Sequence, residues 1–195
     1  MSARVAFLLD GGFVRVKLEG ALGRFPAPTD VLALTERIRR HERLSRHERF
    51  RIYWYDAPPL GGSETNPLNR RPCDFGSHPV HARNQALQDG LARAADVALR
   101  RGETVFQGWK PRNRVLKEFQ NTSRPLTAAD LAPNIEQKGV DLRIGLDVAS
   151  LAVKRIVEII VLVSGDSDLV PAMEFARREG LKVCLDTLGD GQDLG

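Results

Sequence analysis

The chain has 195 residues, 42% hydrophobic and 28% charged, enough to bury the core of one domain and too apolar for a disordered polymer. Its formal net charge of +4 is compatible with a phosphate-rich partner but too small to demand one. The two cysteines, Cys73 and Cys184, stand in no CxxC pattern, which argues against a disulfide framework or zinc site and for a reducing cytoplasm. No apolar run is long enough for a signal peptide or a membrane span.

Residues 4–9, RVAFLL, form a short apolar run that stops at Asp10-Gly11-Gly12 and reads as a buried strand ending in a turn. After Thr29-Asp30, a good cap pair, Val31, Leu34, Ile38, His41 and Leu44 recur at helical spacing, so 30–47 reads as an amphipathic helix. Its outer face carries Arg37, Arg39, Arg40, Arg43 and Arg46 with glutamates interspersed, the pattern of a solvated surface. Residues 49–56, RFRIYWYD, are a second strand; Asp56 reads as a loop residue in preference to an acid that supports the site from behind.

The stretch 58–80 is rich in Pro, Gly, Asn and Ser and reads as a long loop. An Ala/Leu/Arg-rich helix is expected over 81–101 and a third strand over 103–109, ETVFQGW. A basic, irregular stretch follows at 110–136. A helix is then expected from about 141 to 154. Residues 157–163, VEIIVLV, are apolar on both faces, as a central parallel strand is. A further helix spans 168–179, stopped by Gly180, and LKVCLDT, 181–187, is the fifth strand. The closing GDGQDLG, 189–195, has no helix signal: the chain is either truncated there or stops there.

Strands alternating with helices predict an α/β fold, a central parallel sheet of about five strands with helices on both faces. The expectation is one domain over 1–195, with long loops near 58–80 and 110–136. In such a sheet, ligands bind at the carboxyl ends of the strands, near the point where strand order reverses. That rule selects Asp10 after the first strand, Asp166 and Asp168 after the fourth, and Asp141 at the start of the preceding helix. If strands one and four are neighbours, these acids converge.

Four carboxylates so close repel one another unless protons or a cation intervene, and Mg²⁺ or Mn²⁺ prefers oxygen ligands. Each acid also has a plainer reading: a turn residue for Asp10, a helix cap for Asp141, and for Asp168 a cap whatever else it does. Asp147 lies six residues beyond Asp141, roughly 120° around a helix from it. The sequence has no GxxxxGK[ST] phosphate loop and no GxSxG elbow, and its four histidines show no zinc-ligand spacing.

"VAFLLDGGFV", "KGVDLRIGLDVASLA" at 138–152 and "VLVSGDSDLVPAMEFARREG" at 161–180 together resemble the NYN domain of the PIN-like nuclease superfamily, closest to its bacterial LabA-like branch. The resemblance implies a Rossmann-like fold, an aspartate cluster binding Mg²⁺ or Mn²⁺, and single-stranded RNA as the usual substrate class. It implies that Asp10, Asp141, Asp166 and Asp168 are the catalytic, metal-holding acids and that Asp147, the second acid of its block, is an outer ligand. It also implies that Lys138 lies near the scissile phosphate and that Ser164 shapes the acidic turn. One departure stands out. The wider superfamily often has an asparagine two or three residues after the first acid, where this chain has Gly12 and Phe13. A substrate contact is lost there, not a metal ligand.

The expected activity is therefore metal-dependent hydrolysis of RNA. Lys110, Arg112 and Arg114 are the basic cluster expected to track the backbone. Trp109 and Tyr55 are better suited to core packing than to stacking on bases. The rival is a non-catalytic RNA- or protein-binding regulatory module on the same scaffold. A haloacid-dehalogenase-type phosphatase ranks low, because the first strand ends in Asp10-Gly11-Gly12 rather than DxDx[TV]. A homo-oligomer or a protein partner stays open.

Overall fold

The computed structural model describes residues 3–189, so GDGQDLG from residue 190 onward lies outside the described residues. In chain order the elements begin with β1 (Arg4–Asp10), α1 (Gly11–Leu22), α2 (Pro28–Arg39), β2 (Glu48–Asp56), β3 (Ser63–Thr65) and β4 (Pro72–Asp74). There follow α3 (Pro79–Ala92), β5 (Val97–Arg101), β6 (Glu103–Pro111), α4 (Asn113–Glu118), β7 (Leu131–Lys138) and α5 (Val140–Val153). The chain continues through β8 (Ile159–Val163), α6 (Val170–Arg178) and β9 (Lys182–Asp186).

Five strands form one parallel sheet in the order β5-β2-β1-β8-β9. Alternation along β1 explains why it is apolar throughout. Ala6 and Leu8 face the layer of α5 and α6, among Ile144, Val148, Leu151, Met173 and Ala176. Val5, Phe7 and Leu9 face the layer of α1, α2 and α3, among Val14, Val31, Leu34, Leu87 and Leu91. A strand covered on both sides has no polar face to show. The expected α/β architecture is the one found.

From β1 the sheet grows outward through β2 and β5, and from β8 outward through β9 in the opposite direction. The reversal falls between β1 and β8, which pair directly from Val5 with Ile159 to Leu9 with Val163. Their carboxyl ends open the crevice in which this class of sheet binds ligands.

Several expectations need correction. The turn read at Asp10-Gly11-Gly12 is the start of α1, a helix the pattern does not announce. Gly11 is there for contact: a Cβ would lie 2.6 Å from the Tyr55 carbonyl oxygen and 2.7 Å from the Trp54 ring, so only glycine lets α1 start against β2. The helix expected over 81–101 stops at Ala92, and Val97–Arg101 becomes the third strand of the sheet, β5. Between them Asp96 takes a positive φ of 60°, which breaks the helix. The strand expected at 103–109 does form, as β6, but it pairs antiparallel with β7 outside the central sheet. The irregular stretch 110–136 thus contains α4 and most of β7, and the loop 58–80 contains the β3–β4 ribbon. The helix expected over 30–47 ends at Arg39, although Leu44 is still buried.

Candidate active site

The site starts from β1 and β8, whose apolar residues hold two chain ends side by side. Asp10 is the last residue of β1 and the N-cap of α1. Its Oδ1 accepts the Phe13 N–H at 3.2 Å, and its Oδ2 accepts the Ser164 hydroxyl at 3.0 Å. Ser164, the residue after β8, is wholly buried. Its Oγ also accepts the Asp166 N–H at 3.1 Å, and Asp166 Oδ1 accepts the Asp168 N–H at 2.9 Å. The acidic turn is thus built as a chain of short bonds running from Asp10 through Ser164 to Asp166 and Asp168.

Gly165 completes the turn by proximity. A Cβ there would sit 2.7 Å from a Phe13 ring carbon, closer than real contacts allow. Asp10, Phe13, Gly165, Asp166 and Thr187 line a cleft of about 520 Å³ at this edge of the sheet. Thr187 and Phe13 carry no sequence signal that would single them out.

Asp141 enters from α5. The N-cap of that helix is Gly139 and there is no side-chain cap bond, so Asp141 is not used as a cap. Its carboxyl is pushed above its ordinary value, first by partial burial and then by the negative charges of Asp166, Asp10 and Asp168. That ordering places all four acids within one field. The first turn of α5, where backbone N–H groups leave a partial positive charge, favours an anion at this point. The cap expected of Asp168 is provided by Asp166 instead.

The donor set suits a hard divalent cation. It is all carboxylate oxygen, the charges of the other three acids raise the proton affinity of Asp141, and each ionised carboxylate keeps acceptor positions beyond the bonds named above. Among the described residues, no three acidic, histidine or cysteine side chains close into a finished metal cage. The four acids share a field rather than a single point.

The other expected residues are distributed as follows. Asp147 does not join the cluster: its Oδ2 accepts the Tyr55 hydroxyl at 2.9 Å and Arg100 Nε at 2.8 Å. Tyr55 is fully buried, and burial together with Asp147 holds its phenol protonated far above the usual range. Lys138 ends β7, three residues before Asp141, and is exposed. Lys110 lies near the end of β6, Arg112 caps α4, and Arg114 lies within α4; all three are exposed.

Asp56, expected in a loop, is instead buried at the end of β2. Its Oδ1 accepts the Ala57 N–H at 2.8 Å and Gln137 Nε2 at 3.0 Å, and its Oδ2 accepts Gln88 Nε2 at 3.1 Å. Burial pushes its carboxyl up, against the pull of those donors. The available signal was position: a strand-end acid, like Asp10.

A parallel α/β sheet with carboxylates gathered where its strand order reverses defines a Rossmann-like protein, the class in which ligands bind at that point. The NYN domain matches residues 71–188, more than half of the chain, and the chain belongs to that family, whose members are PIN-like nucleases acting on RNA. The match includes Asp141, Asp166 and Asp168; Asp10 precedes it. PIN-like nuclease domains generally use divalent metal ions. No curated protein matches the chain. A solved protein of unknown function from Vibrio parahaemolyticus is similar over 94% of this chain and 80% of its own, with 17% identity and a TM-score of 0.45. Among the described residues, no helix is long and apolar enough to cross a membrane.

Proposed function

We propose that this chain is a metal-dependent endoribonuclease of the bacterial LabA-like branch, acting in the cytoplasm as one domain to hydrolyse phosphodiester bonds in single-stranded RNA. The observation that carries the reading is the gathering of Asp10, Asp141, Asp166 and Asp168 at the β1/β8 switch point, with the Asp141 carboxyl raised by burial and by the other three charges. These four would hold Mg²⁺ or Mn²⁺, which when bound neutralises phosphodiester charge and lowers the pKa of water.

The chain's own residues divide the remaining work. Ser164 fixes Asp10 and the acidic turn in one relative position, so the carboxylates are oriented before any ligand arrives. Phe13 and Gly165 close the wall of the cleft behind them. Lys138, exposed at the end of β7 three residues before Asp141, would attract a phosphate with its ammonium. Lys110, Arg112 and Arg114, at the other end of the β6–β7 ribbon from Lys138, would hold the backbone of a single strand further along. Asp147 braces Tyr55 and Arg100, a structural duty that leaves it at most an indirect influence on the site.

The test is cleavage of a labelled single-stranded RNA by wild type and Asp166→Asn, with Mn²⁺ or with EDTA. Asparagine keeps the capping oxygen, so the turn survives while a charge is lost. Cleavage that requires the metal and vanishes in the variant supports the reading. Equal cleavage by the variant removes it, and metal binding without cleavage of any RNA favours a regulatory module.

A further inference from the structure

We propose that a second cleft beside the acid cluster is a nucleotide-recognition subsite, taking the base of an RNA residue that flanks the cleaved bond; the proposal rests on the nuclease reading above. This cleft of about 600 Å³ is of the size that holds a small planar ligand. Asp56, the last residue of β2, and Ala57 after it form its floor. In the register of the sheet Asp10 pairs with Tyr55, so Asp56 stands one residue further along the neighbouring strand, about 5 Å across.

Gln137 joins the two places. Its Nε2 donates to Asp56, and its Oε1 lies 3.8 Å from the position a Cβ on Gly12 would take, a point that is 3.5 Å from Asp10 Oδ1. A strand of RNA with one phosphate at the acids can therefore place an adjoining base in this cleft without leaving the surface.

The lining has the composition that base recognition needs. Phe75, largely buried, contributes an aromatic ring to the lining, with Phe106 at 5.8 Å between ring centroids. Ile135 and Val80 are large apolar side chains exposed by 42% and 41%, and both belong to this one cleft. Asn84 and His81 line it as well, and neither side chain has a protein partner among the described residues. An amide, with donor and acceptor side by side, reads the edge of an unpaired base, while flat apolar walls accept its face.

The rim is cationic. Arg112 donates Nε to the Ala129 carbonyl and keeps its terminal nitrogens for a phosphate. Arg15 stands on the α1 side, 3.7 Å from Glu19. The one exposed carboxylate of the lining, Asp74, is turned to the N–H groups of Gly76 and Ser77. An apolar slot with an unpaired amide and arginine at its edge suits a nucleotide better than a peptide side chain.

The experiment measures binding of labelled rA, rC and rU octamers by fluorescence anisotropy in EDTA, where nothing is cut, for wild type, Ile135→Glu and Asn84→Ala. Thermal melts establish that each variant is folded. Ile135→Glu is expected to weaken all three complexes about tenfold or more, since a carboxylate that repels the RNA replaces an apolar contact with the base. Asn84→Ala is expected to level the preference among the three octamers with a smaller loss of affinity. Folded variants that keep wild-type affinity and preference overturn the subsite, as does a wild type that binds none of the octamers. If the variants lose binding to RNA that wild type binds without ever cleaving, the nuclease reading fails and the subsite stands.

Discussion

The Ser164 hydroxyl donates to Asp10 Oδ2 at 3.0 Å, joining residues 154 positions apart in the chain. The same oxygen accepts the Asp166 N–H. One buried side chain thus fixes the end of β1 to the acidic turn after β8. Ser164→Ala removes both bonds and leaves the Asp166 N–H without its partner. The expected cost is about 1–3 kcal/mol of stability, read by urea denaturation. RNA cleavage should fall further than stability alone explains, because Asp10 is released. Cleavage at the wild-type rate by the folded variant would sink the orienting role.

Gly165 faces the Phe13 ring, and the space between them is too small for a methyl group. Gly165→Ala should therefore destabilise the protein by about 1–3 kcal/mol through overpacking. A double-mutant cycle separates this from a backbone effect. With Phe13→Leu as the second change, the ring is gone and most of the penalty should go with it. If the two changes simply add, the crowding account is wrong.

The strand-end acids were legible because apolar runs and the residues that stop them lie next to each other in sequence. Asp10, Asp166 and Asp168 needed only that; their convergence rested on the condition that strands one and four are neighbours, which the pairing of β1 with β8 meets. The fold class followed from the same alternation. What stayed hidden depended on contact across the sheet. Gly11-Gly12 reads as a turn until the Trp54 ring and Tyr55 carbonyl are seen against Gly11. The end of α3 and the start of β5 were lost because the Ala/Leu/Arg composition runs on into VALRR, and the turn over 93–96, with its positive φ at Asp96, has no Gly or Pro to mark it. Asp56 was read as a loop residue because its partners, Gln88 and Gln137, come from elements no local pattern brings near it.

Asp147 offers a test of how far the aspartate cluster extends. Its carboxylate holds the buried Tyr55 hydroxyl and the Arg100 guanidinium and takes no part in the hydrogen bonds that link Asp10, Ser164, Asp166 and Asp168. Asp147→Ala should cost about 1–3 kcal/mol, mostly from stranding the Tyr55 hydroxyl. Calorimetric Mn²⁺ affinity should be unchanged in the folded variant. A clear drop in that affinity would return Asp147 to the metal site as an outer ligand.

Acid should loosen a different part of the molecule first. Asp130 accepts from Arg124 Nη1 at 2.6 Å and Nη2 at 2.9 Å, and from the Thr127 N–H and hydroxyl, each at 2.8 Å. Arg124, and then Thr127, hold its carboxyl well below the ordinary 3.8. A carboxyl lowered on folding contributes stability that is fully present above its unfolded value and is lost as pH falls toward the folded one. Below about pH 4 the anchor of the segment between α4 and β7 should therefore weaken. Hydrogen exchange followed by mass spectrometry at pH 3 and pH 6, corrected for intrinsic rates, should show protection of residues 118–130 falling before that of β1 and β8. Asp130→Asn should reproduce the loss at pH 6. Equal protection of this segment at both pH values would mean that the Arg124 pair does not hold it.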